Sequence, residues 1–264
     1  MPIAKERAPI TVRGVCYTLF VQKLIASMEK SETSKVSRLL TIAREEGTIP
    51  WEQIVDETRQ IEEAATWDSP EEYMAASALA YRLNFWQSQP HRVQVWSEKG
   101  TIRGVLQPVL DEFAIPFMVV HGYASATVTH DIANDNDGRP LHILYVGDLD
   151  PSGANMSAVD LPKRFAEYGG THIKLKRIAL TPEQVVGLPS FPAADKRGDT
   201  RYSWFVRTHG RRCWELDAMD PRDLRGIVKR EIKKLINKDA WRLSEITNEA
   251  QQESMREFFR SYKQ

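Results

Sequence analysis

The run Tyr145-Val-Gly-Asp-Leu-Asp-Pro-Ser-Gly153 constrains the fold more than any other stretch of the chain. It continues Leu141-His-Ile-Leu144, so a short apolar segment stops at a glycine, passes a polar turn and enters a helix from about Ser152. A strand buried on both faces of a parallel sheet has this signature. Asp148 and Asp150 then fall at the carboxyl end of the strand, the edge where open α/β sheets bind ligands. Two carboxylates one residue apart, on a turn fixed by Pro151 and Gly153, form a hard oxygen site suited to Mg²⁺. An Asx turn in which Asp150 starts the helix accounts for the same residues without a ligand.

Two earlier runs repeat the pattern. Arg92-Val-Gln-Val-Trp-Ser97 reads as a strand ending at Glu98-Lys99-Gly100, with a helix over about Thr101 to Phe113. Pro116-Phe-Met-Val-Val120 reads as a third strand, ended by His121-Gly122-Tyr123 and followed by a helix over about Ala124 to Ala133. Alternating strands and helices imply a parallel sheet with right-handed crossovers, so Glu98, Asp148 and Asp150 share one edge. Thr171 to Ala179 predicts a fourth strand. Leu180 to Gly198, rich in Pro and Ala, predicts a loop or insertion, and Tyr202 to Thr208 a further β segment. Cys213 to Ala218 introduces a helix running through Pro221 to Lys238; Glu215 and Asp217 could extend the acidic cluster, and the acid preference of helix N-termini favours their capping and flanking that helix. Trp241 to Gln264 predicts a charged amphipathic tail helix.

Towards the N-terminus, Thr11 is a plausible N-cap before Val12, Val15, Cys16, Leu19, Phe20 and Leu24 at helical spacing. Arg13 and Tyr17, one turn apart, flank that apolar face. A tyrosine there buries its ring and keeps its hydroxyl at the surface, and the arginine can hold a phosphate beside it. A second helix starts at Thr33 or Ser34 and ends before Gly47, with Val36, Leu39, Leu40 and Ala43 inward. Lys35, Arg38 and Arg44 point outward, and Trp51 to Asp56 forms a β element or wing. Helix, turn, basic helix, strand fits a winged helix-turn-helix whose second helix enters the major groove. Ser69 and Pro70 start another helix, reaching about Trp86. Gln87 to His91 then divides a DNA-binding domain, 1–90, from an α/β domain, 91–264.

This constellation resembles the Toprim fold, with Glu after the first strand and Asp-x-Asp after the third. It is more closely similar to the A subunit of topoisomerase VI and the meiotic double-strand-break transesterases. Glu98-Lys99, Gly122-Tyr123 and Asp148-x-Asp-Pro-x-Gly153 follow that family's pattern. Thr11-Val-Arg-Gly-Val-Cys-Tyr17 follows its Thr/Ser-x-Arg-x-x-Tyr-Tyr, with Cys16 in place of the first tyrosine. The resemblance implies a winged helix plus a mainly parallel, Rossmann-like Toprim sheet, acting in DNA cleavage by transesterification. It assigns Tyr17 as nucleophile, Arg13 and Lys99 beside it, and Glu98, Asp148 and Asp150 as ligands of Mg²⁺ or Mn²⁺. Lys35, Arg38 and Arg44 would touch double-stranded DNA. It also implies a homodimer, with tyrosine from one protomer and acids from the other, and a possible separate ATPase subunit.

Composition bounds the alternatives. No G-x-x-x-x-G-K loop occurs, so ATP would have to be held by a partner. Cys16 and Cys213 stand far apart with no C-x-x-C, which points to a reducing compartment rather than a zinc or disulfide framework. No apolar run approaches the ~20 residues of a membrane span, so the expected setting is cytoplasmic, at the nucleoid. Formal net charge is +0, yet Lys174 to Arg212 is rich in Lys and Arg. A basic stripe on a neutral chain suits nucleic acid, since only the contacting face counts, and a solvated loop explains it equally. Two other classes stay open: a Toprim nuclease using metal-activated water, and a non-catalytic winged-helix DNA binder.

Overall fold

The computed structural model describes residues 2–55, 65–120 and 126–262. In chain order, α1 (Pro2–Arg7), β1 (Ile10–Thr11), α2 (Val12–Val21), α3 (Lys30–Glu45), β2 (Ile54–Val55) and α4 (Pro70–Ala80) come first. Then β3 (Arg92–Ser97), α5 (Ile102–Phe113), β4 (Phe117–Val119), α6 (Ala126–Asn134) and β5 (Leu141–Val146) alternate. Helices α7 (Pro151–Asn155) and α8 (Leu161–Glu167), joined by a π turn, lead to β6 (Ile173–Ala179). The remainder is β7 (Phe191–Pro192), α9 (Tyr202–His209), β8 (Arg212–Cys213), α10 (Pro221–Lys233) and α11 (Lys238–Tyr262).

The protein is mixed α/β around a four-stranded parallel sheet in the order β4-β3-β5-β6, compatible with a Rossmann-like domain. The two strands that precede the acidic residues are therefore neighbours at its centre. Their side chains account for the preference: Leu141, Ile143, Tyr145 and Trp96 are fully buried with Met156, Leu161 and Phe165 from the helical layer. A β-bulge where Tyr145 pairs with Arg177 but Val146 with Ala179 bends the sheet just before the Asp-x-Asp turn.

Contacts divide the chain into two compact units, Met1–Thr58 with Val93–Lys234, and Arg59–Arg92 with Leu235–Gln264. The break expected at 90/91 is not the one these contacts draw. The N-terminal helices share a unit with the parallel sheet because Arg225 of α10 donates to the carbonyls of Ala8, Pro9 and Val105. Gly104 also lets α5 approach β2 so closely that a Cβ there would meet Val55 at 2.7 Å. In the second unit, Trp241 of α11 packs edge-on against Phe85 and Trp86.

The N-terminal segment has its own core of Ile10, Val15, Cys16, Leu19, Val36, Leu40, Ile49 and Ile54. Thr11 caps α2 as expected, accepting from Gly14 N at 2.8 Å. The β element at 51–55 is a 3₁₀ turn plus β2, and β2 pairs parallel with β1. Three local readings change. Residues 202–209 form a helix, not a strand: Phe205 is its fully buried anchor, with Tyr202, Val206 and His209 at helical spacing around it. Helix α4 stops at Ala80, and Phe85–Ser88 is a separate 3₁₀ turn capped by Asn84. Leu39 is 64% exposed whereas Arg44 is buried, the reverse of their expected facing. Among the described residues, no helix is long and apolar enough to cross a membrane.

Candidate active site

Glu98 directly follows β3, and Asp148 and Asp150 lie just beyond the end of β5, so all three reach one sheet edge. Their charges act on one another: burial raises Glu98 above the usual carboxylate range, and Asp150 and Asp148 raise it further. The turn is tightly specified. Asp150 caps α7, its Oδ1 accepting from Gly153 N at 2.8 Å, so the Asx-type cap and the ligand edge coexist. A Cβ on Gly153 would come within 2.5 Å of the Asp148 carbonyl oxygen, which is why glycine ends the motif. Asp148 Oδ1 accepts from Leu216 N at 2.7 Å and faces Lys99 Nζ at 3.1 Å. Asp150 Oδ2 faces Lys196 Nζ at 3.4 Å.

Segment 214–217, where capping a helix was expected ahead of extending the acidic cluster, ties this edge together. Trp214 and Leu149 exchange backbone hydrogen bonds of 2.9 and 3.0 Å, an antiparallel bridge that sets the segment beside the Asp-x-Asp turn. Asp217 is buried and takes Lys99 Nζ at 2.8 Å and the Thr11 hydroxyl at 2.5 Å. Glu215 accepts two hydrogen bonds from the Arg13 guanidinium. Neither acid caps α10; Asp220 does. Burial alone would lower Lys99, but Asp148, Asp217 and Glu215 hold it above the ordinary lysine value. Thr11 and Arg13 belong to the tyrosine helix, so α2 is fastened to the acidic edge of its own chain.

Tyr17 is 6% exposed, with the Arg13 guanidinium 5.8 Å from its ring centre. Burial, then the charge of Glu215, pushes its phenol up to about 12 from 10.0. A phenol with a higher folded than unfolded pKa contributes stability that is fully present below about pH 10 and lost as pH rises through about 12. Unfolding free energies from urea curves, followed from pH 8 to 12, should thus fall by up to about 2 kcal/mol less in Tyr17→Phe than in the parent. Equal alkaline losses would show that Tyr17 is not buried as described.

The strut behind the turn is Arg177 on β6. Its guanidinium lies over the Tyr145 ring at 5.1 Å and donates to the carbonyls of Gly147, Asp148, Leu180 and Gly153 and to Ser157 Oγ. Burial lowers its pKa, and the charges of Tyr145, Asp148, Asp150 and Glu98 oppose that. Arg177 thus staples both ends of the Asp-x-Asp-Pro-x-Gly turn and carries a half-buried positive charge beneath the carboxylates.

Among the described residues, no group of three or more His, Cys, Asp or Glu side chains is arranged to hold a metal ion. Lysine ammonium groups stand on Asp148 and Asp150 instead. The donor chemistry still fits a hard divalent cation, being all carboxylate oxygen. Burial also raises Asp148, with Asp150 and Glu215 adding to it, and a cation would relieve that cost. Of the residues expected to meet DNA, Lys35 is exposed and paired with Glu32 at 2.6 Å, and Arg38 is exposed. Arg44 is turned inward, its guanidinium 4.8 Å from the Trp51 ring centre and its Nε donating to Leu40 O. His121, Gly122 and Tyr123 lie outside the described residues.

Searches for similarity return nothing: no family model, no curated protein and no solved structure matches this chain.

Proposed function

We propose that this chain is a Mg²⁺- or Mn²⁺-dependent DNA-cleaving enzyme of the topoisomerase VI A-subunit kind, a winged-helix segment joined to a Toprim sheet, cutting by tyrosine transesterification. One observation carries the reading: the helix bearing Tyr17 is tied to the edge bearing Glu98, Asp148 and Asp150 through Thr11–Asp217–Lys99 and Arg13–Glu215. A tyrosine with a packing role alone does not need charged links to the acidic end of a sheet.

In this reading the Tyr17 oxygen attacks phosphorus, a phosphotyrosine bond forms, and the bond to the 3′ oxygen breaks. A phenol pushed up to about 12 is almost wholly protonated at neutral pH, so its proton must pass to solvent as attack proceeds, and the departing 3′ oxygen takes one up to leave as a hydroxyl. Arg13 stabilises charge at the phenol oxygen and the phosphate, and it meets the phosphate by giving up Glu215. Lys99 holds the acidic edge in register. Glu98, Asp148 and Asp150 would hold the divalent cation, which supplies charge stabilisation on the attacked phosphate and the leaving oxygen. Double-stranded DNA is the substrate, and Lys35 and Arg38 on α3 its contacts. A homodimer with two tyrosines, each tied to the acidic edge of its own chain rather than to its partner's as the resemblance implies, cuts both strands, and ATP-driven steps fall to a separate subunit. The setting is the cytoplasmic nucleoid.

A hydrolytic reading, with water as nucleophile, draws on the burial of Tyr17. End-labelled DNA incubated with Mn²⁺ and resolved on denaturing gels separates the two. Transesterification expects a covalent protein–DNA adduct that disappears in Tyr17→Phe and Glu98→Gln. Nicking that survives Tyr17→Phe but not Glu98→Gln would select hydrolysis. Binding without cleavage, candidate partner subunits included, would leave a DNA-binding protein.

A further inference from the structure

We propose that the exposed cations of segment 190–212 form the track that holds a nucleic-acid backbone beside the acidic edge. The inference rests on the DNA-cleavage reading and names the surface that delivers its substrate. It moves the main backbone contact away from α3, where Arg44 is buried and Lys35 is already paired.

The segment is built onto the site. Strand β7 pairs antiparallel with β8, matching Phe191 to Cys213 and Pro192 to Arg212. Ala193 N donates to Arg211 O at 2.9 Å, so Arg211 stands at the start of the 3₁₀ turn Ala193–Lys196. The last residue of that turn, Lys196, reaches Asp150 Oδ2 at 3.4 Å, and two residues beyond Arg212 the chain bridges to Leu149. Lys196 thus stands beside Asp150, and Arg197 and Arg211 are joined to the same 3₁₀ turn by backbone hydrogen bonds. Arg207 is exposed on α9, which packs on α7, the helix that Asp150 caps.

These cations are available. Lys196, Arg197, Arg207, Arg211 and Arg212 are all exposed. Among the described residues, Arg197, Arg207 and Arg211 have no acidic partner, whereas Lys196 is paired with Asp150, Arg201 with Asp199, and Arg212 is held by Ser190. Five carboxylates (Glu98, Asp148, Asp150, Glu215 and Asp217) repel a phosphodiester from the edge itself. A polyanion approaches only if its flanking phosphates are held by positive charge nearby, and arginine forks suit phosphate oxygens. The contacts are with the backbone, so binding is indifferent to sequence and steep in salt.

Anisotropy of a labelled 40-base-pair duplex and of its single strand, with the full chain and no divalent cation, tests this. Arg197→Ala/Arg207→Ala/Arg211→Ala should weaken duplex binding about 100-fold at physiological salt. It should lower the slope of log K against log salt by about 3, or about 2 for the single strand. All three side chains are exposed, so an unchanged thermal midpoint checks the fold. Lys35→Ala/Arg38→Ala should cost less than 10-fold. A triple variant with parental affinity and slope, beside a parent that binds, overturns this inference and leaves the cleavage reading standing. A parent that binds neither nucleic acid at low salt overturns both.

Discussion

Arg177→Met should lower folding stability by about 3–5 kcal/mol, a large share of what a domain of this kind holds in total. The side chain is replaced by one of similar length that donates nothing. Four carbonyl oxygens and one hydroxyl lose their common donor. Each buried acceptor left without a partner costs about 1–3 kcal/mol. The sum is capped because Gly147 O also accepts from Leu180 N at 2.9 Å and Gly153 O from Ser157 Oγ at 3.2 Å. Arg177→Lys should recover less than half, since one ammonium cannot reach both Gly147 and Gly153 as the planar fork does. Urea denaturation with a shared m-value gives the comparison. A loss below about 1 kcal/mol in the methionine variant would mean that the turn holds its shape without the strut.

The second large effect is expected at Asp217. Asp217→Ala leaves Lys99 and the Thr11 hydroxyl without their shared acceptor, at a side chain only 4% exposed. Breaking a buried pair from one side costs about 3–5 kcal/mol, and Asp148, 3.1 Å from the same ammonium, reduces that to about 2–3. Asp217→Asn keeps an acceptor for Thr11 and removes only the charge, so about 1–2 kcal/mol should be lost. Thermal midpoints and urea curves on both variants check the order. Equal losses would show that the charge alone matters at this position and that the acceptor kept for Thr11 adds nothing. In the proposed cleavage reaction, the alanine variant should also release α2 from the acidic edge and lower adduct formation beyond the loss in folded protein.

What the sequence made legible, and what it hid, follows from the range of the interactions. The strands before Glu98 and Asp148 are short apolar runs stopped by polar turns, and they emerge within a residue or two of their expected limits. Local pattern suffices there because burial on both faces leaves few polar positions. Thr11, Ser69 and Pro70 were readable as helix starts for the same reason, since a cap serves amides three residues away. Asp217 was not readable: its partners Lys99 and Thr11 stand 118 and 206 residues off in sequence, and nothing local separates it from a helix-flanking acid. Arg177 did leave a trace. In Ile173-Lys-Leu-Lys-Arg177 it shares parity with Ile173 and Leu175, the less exposed positions, while Lys174 and Lys176 are exposed. An arginine on the covered face of a strand asks for several acceptors, and the Asp-x-Asp turn supplies them. The 202–209 helix misled because Tyr, Trp, Phe and Val favour strands by composition, whereas the single buried anchor Phe205 decides the outcome. Arg44 misled because a charge on an amphipathic helix was assumed to face water, while the Trp51 ring covers it.

The interleaving of the two units bears on how the chain is made. Residues 59–92 are synthesised well before the other part of their unit, 235–264. Helix α4 buries no residue fully even when folded and so has little to stabilise it alone. At ordinary translation speeds it waits on the order of ten seconds for its partner, its alanine-rich turns open to chaperones or proteases. Stop codons placed before Lys238 should therefore yield chains whose parallel sheet resists proteolysis while the 59–92 segment is clipped.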